Sequence, residues 1–131
     1  MILRLSRAAL AVFFVFAGVM HFIAPEKYLA IVPPILPWPL ALIYLSGAAE
    51  IAGGLGVLFR LTRREAGVGL IALLVAVFPA NIYGALHGMR IGDWEVPTWM
   101  LWTRLPLQAL LIWWVWNACW ESEGSRAKVK A

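Results

Sequence analysis

Four long apolar runs, broken by short polar connections, dominate the pattern of the chain. They cover about Leu5 to Ala24, Trp38 to Phe59, Ala66 to His87 and Pro97 to Trp120. Each has roughly the 20 residues that a helix needs to cross a hydrocarbon layer. The first connection is rich in proline. It contains Pro25-Glu26-Lys27-Tyr28 and Pro33-Pro34-Ile35-Leu36-Pro37-Trp38-Pro39, which punctuate both helix ends. Within it, Leu29-Ala30-Ile31-Val32 is expected to lie flat at an interface. Arg60 to Glu65 forms a short basic connection, and Gly88 to Val96 a third, carrying Asp93-Trp94-Glu95. The pattern predicts an all-α, membrane-spanning four-helix bundle over residues 1–120, followed by a short polar tail over 121–131.

Composition agrees with this division. Of the 131 residues, 63% are hydrophobic and 14% charged, and the mean hydropathy is +0.81, outside the range of ordinary soluble domains. Eight Trp and three Tyr suit interfacial aromatic anchors. One cysteine, Cys119, excludes an intramolecular disulfide and dithiol chemistry carried by this chain alone. The net charge is +4, but its placement is more telling. Of 11 Lys and Arg, all except Lys27, Arg90 and Arg104 fall on one side of the predicted bundle. The positive-inside rule then places both termini in the cytoplasm. The basic loops mark that side and imply no nucleic-acid binding. The first run has no small-x-small cleavage site ahead of Pro25, so it reads as a retained helix and not as a signal peptide.

Polar residues inside the runs are the candidates for chemistry, because ionisable groups there need a partner or a function. On the second helix Ser46, Glu50 and Gly53 share a face, with Gly47 and Gly54 beside them and Gly56 on an adjacent row of small residues. Small residues let helix backbones approach closely, so Gly47, Gly53, Gly54 and Gly56 read as packing positions. Tyr44, Ile51, Leu55 and Leu58 fall on the opposite arc, expected to meet lipid. On the fourth helix Arg104 and Gln108 share a stripe with Leu111 and Val115, and Trp102, Trp113, Trp116 and Trp120 lie opposite. Pro79 frees the carbonyl of Val75 in the third helix, and that carbonyl and Asn81 need partners within the bundle.

A ruler of about 1.5 Å per residue, counted from the outer helix ends, puts His21 near ~5 Å, Arg104 and Asn81 near ~10 Å, Gln108 near ~15 Å and Glu50 near ~18 Å. The candidate set is thus a polar pocket of His21, Tyr44, Ser46, Glu50, Asn81, Arg104 and Gln108, open to the outside and closed toward the cytoplasm. Arg104 and Glu50 are close enough on this ruler for two long side chains nearly to bridge. An ion pair fixing helix register and a ligand or proton site are both open readings. His21 and His87 are poorly arranged for haem, no metal-ligand spacing is present, and no catalytic residues can be assigned.

Several of these residues fall into motifs. His21-Phe22-x-x-Pro25-x-x-Tyr28, Ile31-Val32-Pro33, Ser46-Gly47-Ala48-Ala49-Glu50-Ile51, Val77-Phe78-Pro79-Ala80-Asn81 and Arg104-Leu105-Pro106-Leu107-Gln108 together resemble the DoxX-like family of small four-helix membrane proteins. The resemblance runs from about His21 to Trp116. It implies a bacterial integral membrane protein, associated in some relatives with quinone-linked redox systems and in others with assembly of membrane partners. On that basis the expected function is a non-catalytic subunit or assembly factor of a membrane complex, redox-associated in some relatives, with a protein partner or a second copy in the bilayer. An alternative is a protein binding a quinone or similar small molecule in the outward pocket. A second alternative, a small proton-coupled transporter using Glu50, is disfavoured by four spans without an inverted repeat.

Overall fold

The computed structural model describes residues 1–30, 32–91 and 93–121. The expected polar tail from Ser122 onward, with Arg126, Lys128 and Lys130, lies outside the described residues, as do Ile31 and Gly92. Four long helices account for most of the rest: α1 (Ile2–Ile23), α3 (Pro39–Leu58), α4 (Arg63–His87) and α5 (Thr98–Trp120). A short α2 (Pro25–Leu29) follows α1, and two strands, β1 (Arg90–Ile91) and β2 (Trp94–Glu95), join α4 to α5. Three helices, α1, α3 and α4, are long and apolar enough to cross a membrane. The equally long α5 falls outside that set because Arg104, Gln108, Asn117 and its indoles dilute the aliphatic residues.

The long helices form a ring in which α1 packs on α3, α3 on α4, α4 on α5, and α5 returns to α1. One stripe of α1, containing Leu10, Phe14 and Gly18, is buried at roughly helical spacing. Leu10 and Phe14 join Val57, Leu70, Leu74, Val115, Ala118 and Cys119 in the main core. A smaller core of Ala85, Met89, Val96 and Leu101, covered in part by Ala30, closes the end that carries the hairpin.

The helices meet through glycine. A Cβ on Gly47 would stand 2.7 Å from the His21 Cβ and 2.8 Å from the Gly18 carbonyl oxygen. A Cβ on Gly54 would meet the Ala11 carbonyl at 3.1 Å. Gly53 and Gly56 turn the other way, toward Leu70 and Ala66 of α4. α3 is therefore gripped on two sides by its small residues, as close packing in a lipid environment favours. Ile51, expected on the lipid arc, instead touches α1 beside Gly18. Tyr44, Leu55 and Leu58 are exposed as expected.

Arginines close the helix ends opposite the hairpin. Arg63 donates from Nε to the Val57 carbonyl (2.9 Å) and from Nη2 to that of Leu58 (3.3 Å), while Thr62 donates to the Gly56 carbonyl at 2.8 Å. Arg7 reaches across to α5 and donates to the carbonyls of Ala118 (2.7 Å) and Glu121 (2.9 Å). The final carbonyls of a helix have no intrahelical partner, and a cation there also opposes the helix dipole.

Two connections differ from the sequence expectation. The helical turn of the first loop is Pro25–Leu29, set by Pro25 at its first position, ahead of the Leu29–Val32 stretch expected at the interface. The third connection holds an antiparallel hairpin with Arg90 opposite Glu95 and Ile91 opposite Trp94. Strands of two residues are too short to leave an alternating signal in the sequence.

The glycine contacts generate a paired expectation. Gly47→Ala forces backbone or the His21 stem aside and should destabilise the purified protein by about 1–3 kcal/mol. Gly69→Ala, with nothing within 4 Å of its added methyl, should be neutral or stabilising by up to about 1 kcal/mol. Thermal unfolding in detergent checks both, and equal effects would contradict this account of the crossing.

Candidate functional site

The sequence-predicted polar residues separate into two clusters. The first is at the α1–α3 crossing. His21 Nδ1 lies 2.8 Å from the Ala17 carbonyl oxygen and 3.1 Å from Glu50 Oε2. The imidazole stacks on the Tyr28 ring, with centroids 3.8 Å apart and planes 15° from parallel. Helical side chains lean toward their own N-terminus, so Glu50 reaches back along α3 to the level of Gly47, where His21 crosses. α2 supplies the third member, because the turn at Pro25 folds Tyr28 back over α1.

This geometry corrects the depth ruler. On a rise of ~1.5 Å per residue Glu50 comes out between three and four times as deep as His21, yet the two side chains touch. The ruler assumed flush helix ends. In fact α3 runs well past the end of α1, and Phe22, next to that end, stacks on Tyr44 at 5.3 Å.

Nor is Arg104 the partner of Glu50. The Glu50 carboxylate stands against His21, a contact that becomes an ion pair when the imidazole is protonated. Arg104 Nη1 donates instead to Met89 Sδ at 3.8 Å. The Tyr28 hydroxyl is in the field of both: burial raises its pKa most, the Glu50 carboxylate adds to the rise, and the Arg104 cation opposes it. Glu50 Oε2 is buried and makes no hydrogen bond among the described residues. The Nδ1 proton of His21 explains this, since a single N–H already serves the Ala17 carbonyl.

The second cluster ties α4 to α5. Asn81 Nδ2 donates to Gln108 Oε1 at 2.6 Å, and Gln108 Nε2 donates to the Leu74 carbonyl. Gln108 is only 3% exposed. The carbonyl that gains a partner belongs to Leu74, one residue before the Val75 carbonyl that Pro79 was expected to free. Ser46, half-buried on α3, joins neither cluster, and Tyr44 and Arg104 make contacts outside them, with Phe22 and Met89. His87, at the end of α4, stacks on Tyr83 at 4.2 Å, away from His21.

Beside the hairpin lies an apolar groove of about 370 Å³, lined by Met89, Trp94, Trp99, Met100 and Leu107, with Arg104 on its wall. A smaller groove of about 240 Å³ lies over Gln108 between Val75, Phe78 and Ile112. Sequence reasoning missed the first groove because it depends on the hairpin. It also missed Tyr28 as a member of the polar site, although the Pro25 turn and the tyrosine three residues later were visible. Among the described residues no group of three or more His, Cys, Asp or Glu could hold a metal ion.

Comparison with known proteins adds one finding. A family model described as a domain of unknown function (DUF8561) matches residues 10–119. The chain belongs to that family. The matched span covers nearly all of the four-helix ring, including both polar clusters and the groove. No curated protein and no solved structure matches the chain.

Two expected outcomes test the clusters. A double-mutant cycle on Asn81→Ala and Gln108→Ala should give a coupling of about 0.5–2 kcal/mol in detergent unfolding, and additive losses would show that the amides act separately. Tyr28 keeps its proton in the folded chain at pH values where the unfolded chain loses it. Its contribution is therefore constant below its ordinary pKa of 10.0, and stability falls as pH rises above that. Tyr28→Phe should flatten the alkaline limb of the stability profile, and an unchanged limb would refute the assignment.

Proposed function

We propose that the chain is a four-span integral membrane protein of the bacterial plasma membrane, with both termini cytoplasmic. It acts as a non-catalytic subunit or assembly factor of a membrane complex, as its resemblance to DoxX-like proteins implies. Three membrane-length apolar helices support the membrane assignment. The fourth, α5, completes the ring with its inward stripe of Gln108 and Val115 and with Trp102, Trp113 and Trp116 exposed outside. Arg4, Arg7, Arg60, Arg63 and Arg64 gather at one end of the ring, which supports placing that end in the cytoplasm.

The observation that carries the subunit reading is the way polar side chains are used. Asn81 and Gln108 bind α4 to α5. Trp114 Nε1 donates to Ser6 Oγ at 2.8 Å, and Arg7 bonds the α5 carbonyls, joining α5 to α1. Glu50 meets His21 between α3 and α1. These groups fix which helix meets which, and at what register, in a solvent that offers no competing hydrogen bonds. The exposed indole face of α5 is then available to lipid, a partner helix or a second copy.

One observation favours the second reading, a quinone or similar small molecule. Glu50 Oε2 accepts no hydrogen bond among the described residues, and Tyr28 stands beside it. A quinol hydroxyl is a donor of the kind that oxygen lacks, and it would have to displace Tyr28 from its stack on His21 to reach it. The bound molecule would supply the redox chemistry, and His21, Tyr28 and Glu50 would hold it and exchange its protons.

Purification in mild detergent, with mass spectrometry of co-purifying proteins, lipids and quinones, separates the two. A reproducible membrane-protein partner or a stable oligomer without small molecule is the expected result. Near-stoichiometric quinone without a partner would overturn the subunit reading in favour of the second. Glu50→Gln should lower thermal stability if the acid is a structural tie, and leave it unchanged if the acid serves a ligand. Cysteine labelling should find Leu61 accessible only from the cytoplasmic side; labelling from outside would reverse the topology.

A further inference from the structure

We propose that the groove beside the hairpin is a binding site for one anionic phospholipid of the surrounding bilayer, held through its phosphate by Arg104. Nothing in the subunit reading requires this site, and it stands or falls separately.

The argument begins with what Arg104 lacks. A guanidinium carries five N–H donors and remains charged at any pH the protein meets. The other cations with a described side-chain hydrogen bond, Arg7 and Arg63, are used on helix carbonyls. Arg104 has one described hydrogen-bond acceptor, the thioether sulfur of Met89 at 3.8 Å, and sulfur is a weak acceptor. The half-buried guanidinium also feels the Tyr28 hydroxyl, which is not an ion while the phenol keeps its proton. Among the described residues, no acidic side chain lines the groove into which Arg104 faces. Its other polar lining residue, Thr103, already donates its hydroxyl to the Trp99 carbonyl at 2.6 Å. Besides the neutral indole N–H donors of Trp94 and Trp99, the guanidinium is the one charged donor among the described lining residues, and an oxygen anion is its natural complement.

The rest of the groove selects the body of the ligand. Its lining is otherwise aliphatic, thioether and indole, so whatever carries the anion must be apolar beyond its head. Trp94 and Trp99 are 53% and 69% exposed, and indoles settle at the level of lipid headgroups. Arg104 is less than two turns into α5, so a phosphate at headgroup depth lies within reach of its long side chain. From there Leu107, half exposed, leads along α5 toward the middle of the layer, in the direction an acyl chain takes. About 370 Å³ accommodates a phosphate, a glycerol and the first methylenes of a chain. A soluble anion would leave the apolar walls uncovered, and a neutral lipid would leave the cation unanswered.

The test uses the full chain, purified and stripped of lipid in detergent, and titrated with dioleoylphosphatidylglycerol, dioleoylphosphatidylcholine or a short-chain ubiquinone. Native mass spectrometry and thermal shift provide the readouts. One phosphatidylglycerol should bind per chain, at least about tenfold more tightly than phosphatidylcholine, in line with a charge-assisted contact. Arg104→Gln should bring phosphatidylglycerol down to the phosphatidylcholine level, and Arg104→Lys should fall between, because a point charge replaces a planar fork. Leu107→Trp fills the groove from its exposed side and should weaken phosphatidylglycerol binding while leaving the lipid-free melting temperature unchanged. Equal binding of the two lipids, tighter binding of the quinone, or unchanged phosphatidylglycerol binding in Leu107→Trp would each overturn the proposal. The last holds even if Arg104→Gln does not fold.

Discussion

The crossing of α1 over α3 at Gly18 and Gly47 governs much of the molecule. With no side chain between them, the backbones come close enough that a methyl on either residue would strike the other's carbonyl oxygen. In a hydrocarbon solvent such contacts, and not the expulsion of water, hold helices together. The crossing also decides register. Once Gly47 is level with His21, Glu50 reaches the imidazole at Nδ1, and the turn after α1 lays Tyr28 on the face of that ring. Three elements thus converge on one histidine because two glycines permit it.

The closing seam of the ring works differently. α5 meets α1 through Arg7, Ser6 and Phe13 against Ala118 and Trp114. These contacts belong to the end where arginines cap helix carbonyls. At the other end α2, the hairpin and the small core around Met89 and Leu101 stand beside α5. One end is therefore tied by hydrogen bonds to backbone, and the other is filled by short elements and aromatic side chains. The groove occurs at the second end, beside the hairpin, and the His21–Glu50 contact lies where α2 covers the α1–α3 crossing.

Much of this was legible in the sequence, and the limits have definite causes. The four long helices follow from apolar runs punctuated by proline and charge, with ends within a few residues of those observed. The inward stripe of Gln108 and Val115 followed from helical periodicity, and the need for a partner to Asn81 from its place inside an apolar run. Relative depth was not legible. Counting residues from each helix end presumes that the ends are level, and nothing local in α3 reveals that it overruns α1. That error made Arg104 look like the natural partner of Glu50, when His21 was. The hairpin escaped because its strands are two residues long, and the groove escaped with it. The displacement from Val75 to Leu74 has a similar origin: proline marks where a helical hydrogen bond is missing, but neighbouring helices determine which carbonyl is reached.

The separation of roles among the arginines bears on how a helix as polar as α5 can belong to this bundle. Buried charges are tolerated in lipid where backbone carbonyls or other charges answer them. Arg7 and Arg63 meet that condition within the chain. Gln108 meets the corresponding one for amides. Arg104 relies instead on a sulfur and on the field of a phenol. It stands where the helix passes from the indoles of its first turns into its aliphatic centre. A cation at that level can draw its remaining partners from the headgroup layer, so α5 would be completed by its surroundings as well as by α1 and α4. On the proposed lipid site, its mean hydropathy would understate its fitness to cross the bilayer, because part of its polar content would be answered from outside the chain.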